Sequence, residues 1–378
     1  MKDTVYLDNS ATTKPCDGSL TLLNKALSEC WGNPSSLHSG GIKAEDIILS
    51  CRERCAKMLG ARPDEIFFTS GGTEANNIAL NGAVTARAKR GNRIITTAIE
   101  HPSVSEVMKN FETKGFDVVY LKPDKSGKIS TEDFRVALNE KTILVSIMLV
   151  NNETGTIQPV KKIGKIIKSS GSTALLHCDA VQAFGKLPIK ISELGADLLT
   201  FSGHKIHAPK GIGVLYKKKN LHLSPLCFGG GQQEGLRPGT EPVPLIAALE
   251  GAIRELPDIK GQFSKTKELW QYTKDLLLKT GLVDINSPDD ALPYVLNVSV
   301  TGWRSETLLH FLDSKGILVS SGSACAKGGI SPTLSAMGLD SKHIDSALRI
   351  SFSRYNSAED SDKLCEAIKE ATTKLKRA

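Results

Sequence analysis

The order of apolar and polar residues along the chain predicts an α/β fold. Short runs rich in aliphatic and β-branched residues alternate with longer stretches in which apolar residues recur at helical spacing. The predicted strands are residues 66–69, 93–97, 118–121, 143–150, 174–178, 197–201 and 212–216. Predicted helices between them include residues 74–89, 103–113 and 160–169. This alternation is typical of a mostly parallel sheet covered by helices.

The C-terminal third of the chain has a different pattern and predicts a second domain. A charged stretch, residues 257–267, leads into a long helical pattern, a mixed α and β segment and a polar final helix. With 378 residues, 40% of them hydrophobic, the chain is long enough to bury more than one core. We expect a large domain over residues 13–256 and a smaller α+β domain formed by residues 1–12 and 257–378.

Charge and cysteine content exclude several classes of protein. The net charge of +7 is modest for this length, and the basic run at residues 217–219 indicates a solvated turn rather than a nucleic-acid-binding surface. No apolar stretch reaches bilayer length, and the N-terminus lacks a signal-peptide core. The eight cysteines include no Cys-x-x-Cys pair, and Cys51 and Cys55 fit the core face of a helix. We therefore expect a cytoplasmic protein without a metal site and without membrane or nucleic-acid partners.

Polar residues concentrate just after the predicted strands, where ligands bind in open α/β sheets. The stretch Ser70-Gly71-Gly72-Thr73 separates a strand from a helix. Such a turn fits a phosphate at a helix N-terminus, and it also fits an ordinary helix cap. His101 begins another helix. A structural role is the plainer interpretation, but an imidazole at this edge can stack on a flat cofactor and move protons.

Further strand ends carry the remaining groups that a pyridoxal phosphate site needs. Asn152 lies in a polar turn and can hydrogen-bond a ring substituent. Asp179 can pair with a protonated pyridine nitrogen, and Gln182 could reach the ring hydroxyl. Lys205 ends the segment Ser202-Gly203-His204-Lys205 at a strand tip, where it is either a surface cation or an amine kept reactive for imine formation. Together these residues predict a single cofactor site.

Six motifs spread over nearly the whole chain resemble those of cysteine desulfurases of the NifS/IscS type. These are class V, fold-type I pyridoxal phosphate enzymes, so the resemblance implies that fold and that cofactor. The motifs are Tyr6-Leu7-Asp8-Asn9-Ser10-Ala11-Thr12-Thr13, Gly32-Asn33-Pro34-Ser35-Ser36-x-His38, Thr69-Ser70-Gly71-Gly72-Thr73-Glu74-x-Asn76-Asn77, Asn151-Asn152-Glu153-Thr154-Gly155, Ser202-Gly203-His204-Lys205 and Arg237-Pro238-Gly239-Thr240.

The resemblance also implies a role for each site residue. Lys205 would form the imine with the cofactor, His101 would stack on the ring as acid and base, and Asp179 would hold the pyridine nitrogen. Thr240 would reach the phosphate of the neighbouring subunit, which makes a homodimer the working unit. The expected cofactor-binding residues are Gly72, Thr73, His101, Asn152, Asp179, Gln182, Ser202, His204, Lys205 and Thr240, with Thr73, Ser202 and His204 on the phosphate.

Cys325 separates desulfurase chemistry from other reactions of this fold. It lies in Ser320-Ser321-Gly322-Ser323-Ala324-Cys325-Ala326 and is followed by Lys327 and two glycines. These small residues predict a mobile loop at about residues 319–333, although a cysteine buried in a Gly-Ser turn is the alternative. The segment resembles the family's Ser-Gly-Ser-Ala-Cys signature in its long-loop subgroup. The resemblance implies that Cys325 receives the substrate sulfur as a persulfide.

The substrate needs a fixed cation for its carboxylate, and Arg349 resembles the family's residue for that task. Arg354 is the nearby alternative, and Asn33 is a further expected substrate contact. A guanidinium can bind a carboxylate through two hydrogen bonds. One departure from the family is Ala208, where glycine is common, and another is the end of the chain after Lys374-Leu375-Lys376-Arg377-Ala378, which leaves the sulfur acceptor open.

The expected activity is conversion of L-cysteine to L-alanine with transfer of sulfur to Cys325 and then to an acceptor protein. That acceptor would be an iron–sulfur scaffold or a tRNA-thiolation protein. The sulfur would then be used for iron–sulfur cluster assembly or for the synthesis of other thio-cofactors. A selenocysteine lyase or a class V aminotransferase is the alternative enzyme. An inactive relative that serves as a docking surface is the alternative outside catalysis, and the joint presence of Lys205, His101, Asp179 and Cys325 argues against it.

Overall fold

The computed structural model describes residues 4–321 and 330–377. Its strands are β1 Val5–Tyr6, β2 Ile66–Thr69, β3 Arg93–Thr97, β4 Asp117–Leu121, β5 Thr142–Met148, β6 Leu175–Asp179, β7 Leu198–Ser202, β8 Gly213–Lys217, β9 Asp284–Ile285, β10 Val295–Ser299, β11 Ile317–Leu318 and β12 Ala347–Ser351. Its helices are α1 Asp17–Glu29, α2 Ser39–Leu59, α3 Gly72–Arg87, α4 Pro102–Thr113, α5 Thr131–Ala137, α6 Val160–Ser169, α7 Ile191–Leu194, α8 Val243–Arg254, α9 Ile259–Leu278, α10 Ser305–Ser314, α11 Pro332–Ala336, α12 Ser341–Asp345 and α13 Ala358–Lys374.

A seven-stranded sheet in the order β2-β8-β7-β6-β5-β3-β4 forms the centre of the fold. All its pairings are parallel except the two made by β8, which runs antiparallel to β2 and β7. This confirms the predicted fold-type I architecture with a mostly parallel sheet. Because the parallel strands run in one direction, their C-terminal ends meet at one edge, and this edge carries the candidate site.

The sheet is buried on both faces. Consecutive residues such as Phe67 and Phe68, or Leu198 and Leu199, belong to two different apolar clusters. Side chains alternate between the faces of a strand, so each face packs against its own layer of helices. The structure confirms Cys51 and Cys55 as core residues of α2.

All seven predicted central strands are present, with small shifts at their ends. Asp179 and Ser202, placed after their strands by sequence, are the last residues of β6 and β7. Backbone pairing extends to them because Asp179 lies opposite Met148 and Thr200, and Ser202 lies opposite Gly213. These polar side chains are therefore held by the rigid sheet rather than by a loop.

A second apolar cluster joins residues of the C-terminal part of the chain with Val5 and Leu7 of the N-terminal segment. A three-stranded antiparallel sheet, β12-β10-β9, and the parallel pair β1-β11 accompany it. Its buried residues include Leu7, Trp270, Leu308 and Leu364. Tyr294, from the same C-terminal part, packs instead into the larger core. The domain limits at residues 12/13 and 256/257 stay a prediction.

Within the described ranges, every cysteine is a free thiol. The same ranges contain no group of three or more His, Cys, Asp or Glu side chains placed to hold a metal ion. None of the described helices combines the length and hydrophobicity that a bilayer span requires.

Candidate active site

A cavity of about 500 Å³ opens at the C-terminal ends of the central strands. Its lining comes from the ends of β5, β6 and β7, from the start of α3 and α4, and from β12 of the C-terminal part. Of the residues predicted for the site, it brings together Gly72, Thr73, His101, Asn152, Asp179, Gln182, Ser202, His204, Lys205 and Arg349.

Lys205 lies at the end of a short 3₁₀ helix, Gly203–Lys205, that continues from β7. Its Nζ donates hydrogen bonds to the carbonyl oxygens of Ser10, at 2.5 Å, and of Ala11, at 2.8 Å. The N-terminal segment thus contacts the amine directly. The lysine is held in the cavity rather than extended into solvent.

The turn after Lys205 is tightly constrained. His207 adopts a positive φ of 70° and donates its backbone N–H to Thr13 Oγ1 at 2.8 Å. Ala208, which stands where the family commonly has glycine, is buried. A Cβ atom on Gly203 would come within 3.0 Å of the Ala208 Cβ. The absence of a side chain at Gly203 therefore accommodates the alanine.

His101 caps the N-terminus of α4. The backbone N–H of Ser103 donates to His101 Nδ1 at 3.1 Å, and Ser103 Oγ lies 2.8 Å from the same atom. Because Nδ1 accepts, the proton of the neutral ring lies on Nε2. Burial lowers the pKa of His101, the Asp179 carboxylate opposes that shift and the Lys205 cation adds to it. The imidazole is therefore neutral at neutral pH.

Asn76 connects the groups around His101 and Asp179, and sequence analysis assigned it no role. Its Nδ2 donates to Asp179 Oδ2 at 2.8 Å and to Ser103 Oγ at 2.9 Å, while Thr200 Oγ1 donates to its Oδ1 at 2.5 Å. Asn76 is fully buried on α3 among apolar neighbours. The sequence does contain a signal for this role, since Asn76 is an amide on the core face of a predicted helix and a buried polar group needs hydrogen-bond partners.

Asp179 is held by donors on both carboxyl oxygens. The backbone N–H of Val181 donates to Oδ1 at 2.9 Å, and Asn76 occupies Oδ2. The side chain is buried and lines the cavity at the end of β6. A fixed carboxylate at this point suits a protonated ring nitrogen.

The other end of the cavity fits a phosphate. Helix α3 begins at Gly72, so its first backbone N–H groups lie beside the cavity. A Cβ atom on Gly72 would approach Val181 Cγ2 to 2.8 Å, which leaves no room for a side chain. The Ser202 hydroxyl, next to the Gly71–Gly72 turn, is buried and has no hydrogen-bond partner among the described residues. An anionic group with several oxygens would supply that partner, so the residues present fit pyridoxal phosphate.

His204 lines the same cavity and is uncharged at neutral pH. Burial, followed by the charges of Lys205 and Lys210, lowers the pKa of His204 to about 4. Its Nδ1 lies 3.2 Å from Thr12 Oγ1. A neutral imidazole can donate one hydrogen bond to an anion without adding a charge.

Arg349 and Arg354 lie in different surroundings. The buried Arg349 guanidinium lines the main cavity, where it donates to the Asn152 carbonyl oxygen at 3.1 Å and to Asp8 Oδ1 at 2.9 Å. Arg354 instead donates to the side chain and backbone carbonyl of Glu255 and lines a smaller cavity. The geometry favours Arg349 as the carboxylate-binding residue.

Two predicted residues, Asn33 and Thr240, are described by the structure but do not line the cavity. Asn33 is exposed, and its side chain accepts a hydrogen bond from the Ser35 backbone at 2.9 Å. Thr240 is exposed as well. Cys325 lies outside the described residues. The roles of these three residues stay predictions.

Glu100 is a second carboxyl group beside the cavity that sequence analysis did not single out. Its Oε1 accepts hydrogen bonds from Thr97 Oγ1 at 2.7 Å and from the Met148 backbone at 3.0 Å. Burial, with the charge of Asp179 adding, raises the pKa of Glu100 to about 8. The Glu100 carboxyl group is therefore largely protonated at neutral pH.

Replacing Glu100 by glutamine is expected to stabilise the protein at alkaline pH and to have little effect at pH 5. A carboxyl group whose pKa is raised on folding, from 4.5 to about 8, favours the folded state at low pH, and this contribution is lost as the pH rises through 8. The neutral amide avoids that loss, so the free energy of unfolding of Glu100→Gln at alkaline pH should exceed that of the wild type by roughly 1–4 kcal/mol. Urea unfolding at pH 5 and 8.5 measures the difference. The exposed Glu132→Gln serves as control, and an equal effect of Glu100→Gln at both pH values would contradict a raised pKa.

Comparison with known proteins places the chain in a family. Residues 5–364 match the family model described as aminotransferase class-V. The chain is 43% identical to the putative cysteine desulfurase IscS 1 of Bacillus subtilis, over 94% of this chain and 95% of that protein. It is 41% identical to a NifS/IcsS protein homolog of Lactobacillus delbrueckii subsp. bulgaricus, over 97% and 96% of the two chains.

Solved structures agree with these relatives. A NifS-like protein superposes with a TM-score of 0.93 at 38% identity, covering 98% of this chain and 100% of the other. SspA in complex with cysteine superposes with a TM-score of 0.82 at 36% identity, covering 93% and 99%. Since the matches span nearly the whole length of each protein, the chain belongs to the class-V aminotransferase family and, within it, to the pyridoxal-phosphate-dependent cysteine desulfurases of the NifS/IscS type.

Proposed function

We propose that this protein converts L-cysteine to L-alanine and passes the sulfur through Cys325 to an acceptor. The observation that carries the proposal is the single cavity in which Lys205, His101, Asp179 and Arg349 converge in a chain of this family. An imine-forming amine, a neutral base, a carboxylate for the ring nitrogen and a cation for the substrate are the groups that this chemistry requires.

Pyridoxal phosphate supplies an electron sink for the bond changes at the substrate when it is bound. Lys205 and His101 then move protons, since the amine and a neutral imidazole both lie at the cavity. The hydrogen bonds that Asp179 accepts from Asn76 and Val181 fix its carboxylate in one orientation. The residues that would hold the phosphate are Gly72, Thr73, Ser202 and His204, and those that would contact the ring are Asn152 and Gln182.

Arg349 binds the substrate carboxylate. Its guanidinium contacts Asp8 in the structure, so an incoming carboxylate would either join or replace that partner. Burial excludes water around the guanidinium, which strengthens a charge-assisted hydrogen bond. L-Cysteine is thereby oriented by its carboxylate, with its side chain available to the sulfur-accepting thiol.

Cys325 accepts the sulfur in this proposal. Its thiolate attacks the substrate sulfur, so that an S–S bond forms and the substrate C–S bond breaks. The electron pair of the broken bond stays on carbon, and protonation of that carbon yields alanine. A thiol of the acceptor protein then attacks the terminal sulfur of the persulfide. The acceptor we infer is an iron–sulfur scaffold or a tRNA-thiolation protein.

We infer a cytoplasmic homodimer as the working form. Large apolar side chains are exposed at Leu27, Trp31, Leu37 and Phe228, with exposed fractions of 57%, 82%, 96% and 88%. A second copy of the chain would cover such residues. In the dimer the exposed Thr240 would reach the phosphate of the neighbouring subunit.

The test is product analysis of the wild-type protein with L-cysteine and a thiol reductant. Alanine and sulfide should appear in equal amounts and without an added 2-oxo acid. An aminotransferase would instead require the 2-oxo acid and release no sulfide. A selenocysteine lyase would show a far higher kcat/KM for selenocysteine than for cysteine, and either outcome would replace the proposed function.

A further inference from the structure

Lys186 is a buried amine next to the active site to which no role has been given above. It follows Gly185, whose φ is 74° and on which a Cβ atom would lie 2.9 Å from Ile206 Cγ2. This close approach brings the segment after β6 against the one that carries Lys205. The Lys186 residue is only 6% exposed, and its Nζ lies 5.6 Å from the centre of the Tyr294 ring. Among the described residues, Lys186 has no carboxylate within salt-bridge distance.

Hydrogen bonds connect Lys186 to the active-site lysine through Gln182. Lys186 Nζ donates to Gln182 Oε1 at 3.3 Å, and Gln182 Nε2 donates to the Ser10 carbonyl oxygen at 2.9 Å. Lys205 Nζ donates to the same carbonyl oxygen. Lys186 is therefore hydrogen-bonded to Gln182, a side chain that lines the cavity. Gln182 and Lys205 donate to the same carbonyl oxygen, that of Ser10.

This connection determines which end of the Gln182 amide faces each neighbour. The Ser10 carbonyl can only accept, so it requires the Nε2 end, while Lys186 donates to the Oε1 end. Nε2 carries two N–H groups, and Ser10 takes one of them. The other N–H is left for a hydrogen-bond acceptor in the cavity, such as the ring oxygen of the cofactor.

The arrangement does not depend on the charge of Lys186. Burial, followed by the charges of Lys205 and Arg349, lowers the pKa of Lys186 to about 7. The ammonium and the neutral amine both carry N–H donors, so either form can donate to Gln182 Oε1. A hydrophobic side chain at this position would leave the Oε1 atom without this donor.

We propose that Lys186 is a positioning residue of the active site, which fixes Gln182 as a hydrogen-bond donor toward the cofactor. This inference rests on the proposed function, because it assumes that pyridoxal phosphate occupies the cavity. It assigns Lys186 an effect on cofactor binding without contact between Lys186 and the cofactor. The effect should therefore disappear when Gln182 is absent.

A double-mutant cycle on cofactor affinity tests the proposal. Apoprotein carrying Lys186→Met, Gln182→Ala or both is titrated with pyridoxal phosphate, and binding is followed by protein fluorescence. Lys186→Met should weaken binding roughly threefold to tenfold in the wild-type background, the loss of one hydrogen bond, and have no effect in the Gln182→Ala background. The exposed Lys162→Met should bind the cofactor like the wild type.

Equal weakening by Lys186→Met in both backgrounds would overturn the proposal, because it would show a general structural role. Wild-type affinity in Lys186→Met would overturn it too. If Lys186→Met does not fold, the same cycle is run with Lys186→Leu, which also removes the N–H donor, combined with Gln182→Ala, and the same pattern is expected. A wild-type apoprotein that takes up no pyridoxal phosphate would refute the proposed function and this inference together, whereas an additive cycle in an active enzyme would refute this inference alone.

Discussion

Cys325→Ala is expected to release neither alanine nor sulfide from L-cysteine, while the cofactor remains bound with its yellow colour. The alanine side chain at position 325 has no nucleophile that could attack the substrate sulfur, so the substrate C–S bond cannot break by sulfur transfer to the protein. The loss should be roughly a thousandfold or more in kcat, as for other removed nucleophiles. Both products and the visible absorption spectrum of the purified variant are measured.

Cys227→Ala is the matched control for this experiment. Cys227 is an exposed free thiol that does not line the cavity in the described part of the chain, so its removal tests the loss of a thiol away from the site. It should retain wild-type rates of both products. Full activity toward cysteine in Cys325→Ala would refute the persulfide role.

The central sheet was predictable from sequence because its strands are short apolar runs between amphipathic helices. Residues 66–69 and 93–97 were placed without error. Ser70 and Gly71 end the first run, and in the second the β-branched residues end at Thr97, before Ala98. The prediction for residues 143–150 continued two residues beyond β5, which ends at Met148. Leu149 and Val150 are apolar and buried. Leu149 still donates its backbone N–H to the Asp179 carbonyl oxygen at 2.8 Å, and Val150 pairs with Ile157 across the turn that carries Asn152. Hydrophobicity reports burial, and it does not report where backbone pairing stops.

The residues around the cofactor were predictable where they follow strand ends. Asn76, Glu100 and Lys186 were missed because their partners are distant in sequence or depend on the packed core. Asn76 meets Asp179 across 103 positions of the chain, from the core face of a helix. Lys186 looks like a surface lysine in sequence, and only the fold shows that it is buried.

The distribution of charge in the cavity fits anionic ligands. Lys205 and Arg349 supply cations, while Glu100 is held in its neutral form and His101 and His204 add no charge. Asp179 and Asp8 are each hydrogen-bonded to specific donors, Glu153 accepts a hydrogen bond from Ser331 Oγ, and Glu106 pairs with Lys109. A phosphate and a substrate carboxylate would each meet positive charge without facing an unpaired carboxylate, which is the arrangement that tight binding of both requires.

Lys205→Arg should abolish turnover, with kcat reduced by roughly ten-thousandfold, although the positive charge at this position is retained. A guanidinium cannot form the imine, and it stays protonated, so it cannot take a proton from the substrate. The direct measurement is mass spectrometry after borohydride reduction, which should show a covalently attached cofactor in the wild type and none in the variant. Lys210→Arg, at an exposed position five residues further along, should keep both the attachment and the activity. Attachment that persists in Lys205→Arg would show that a different lysine holds the cofactor, and the buried Lys186 would then be the first to examine.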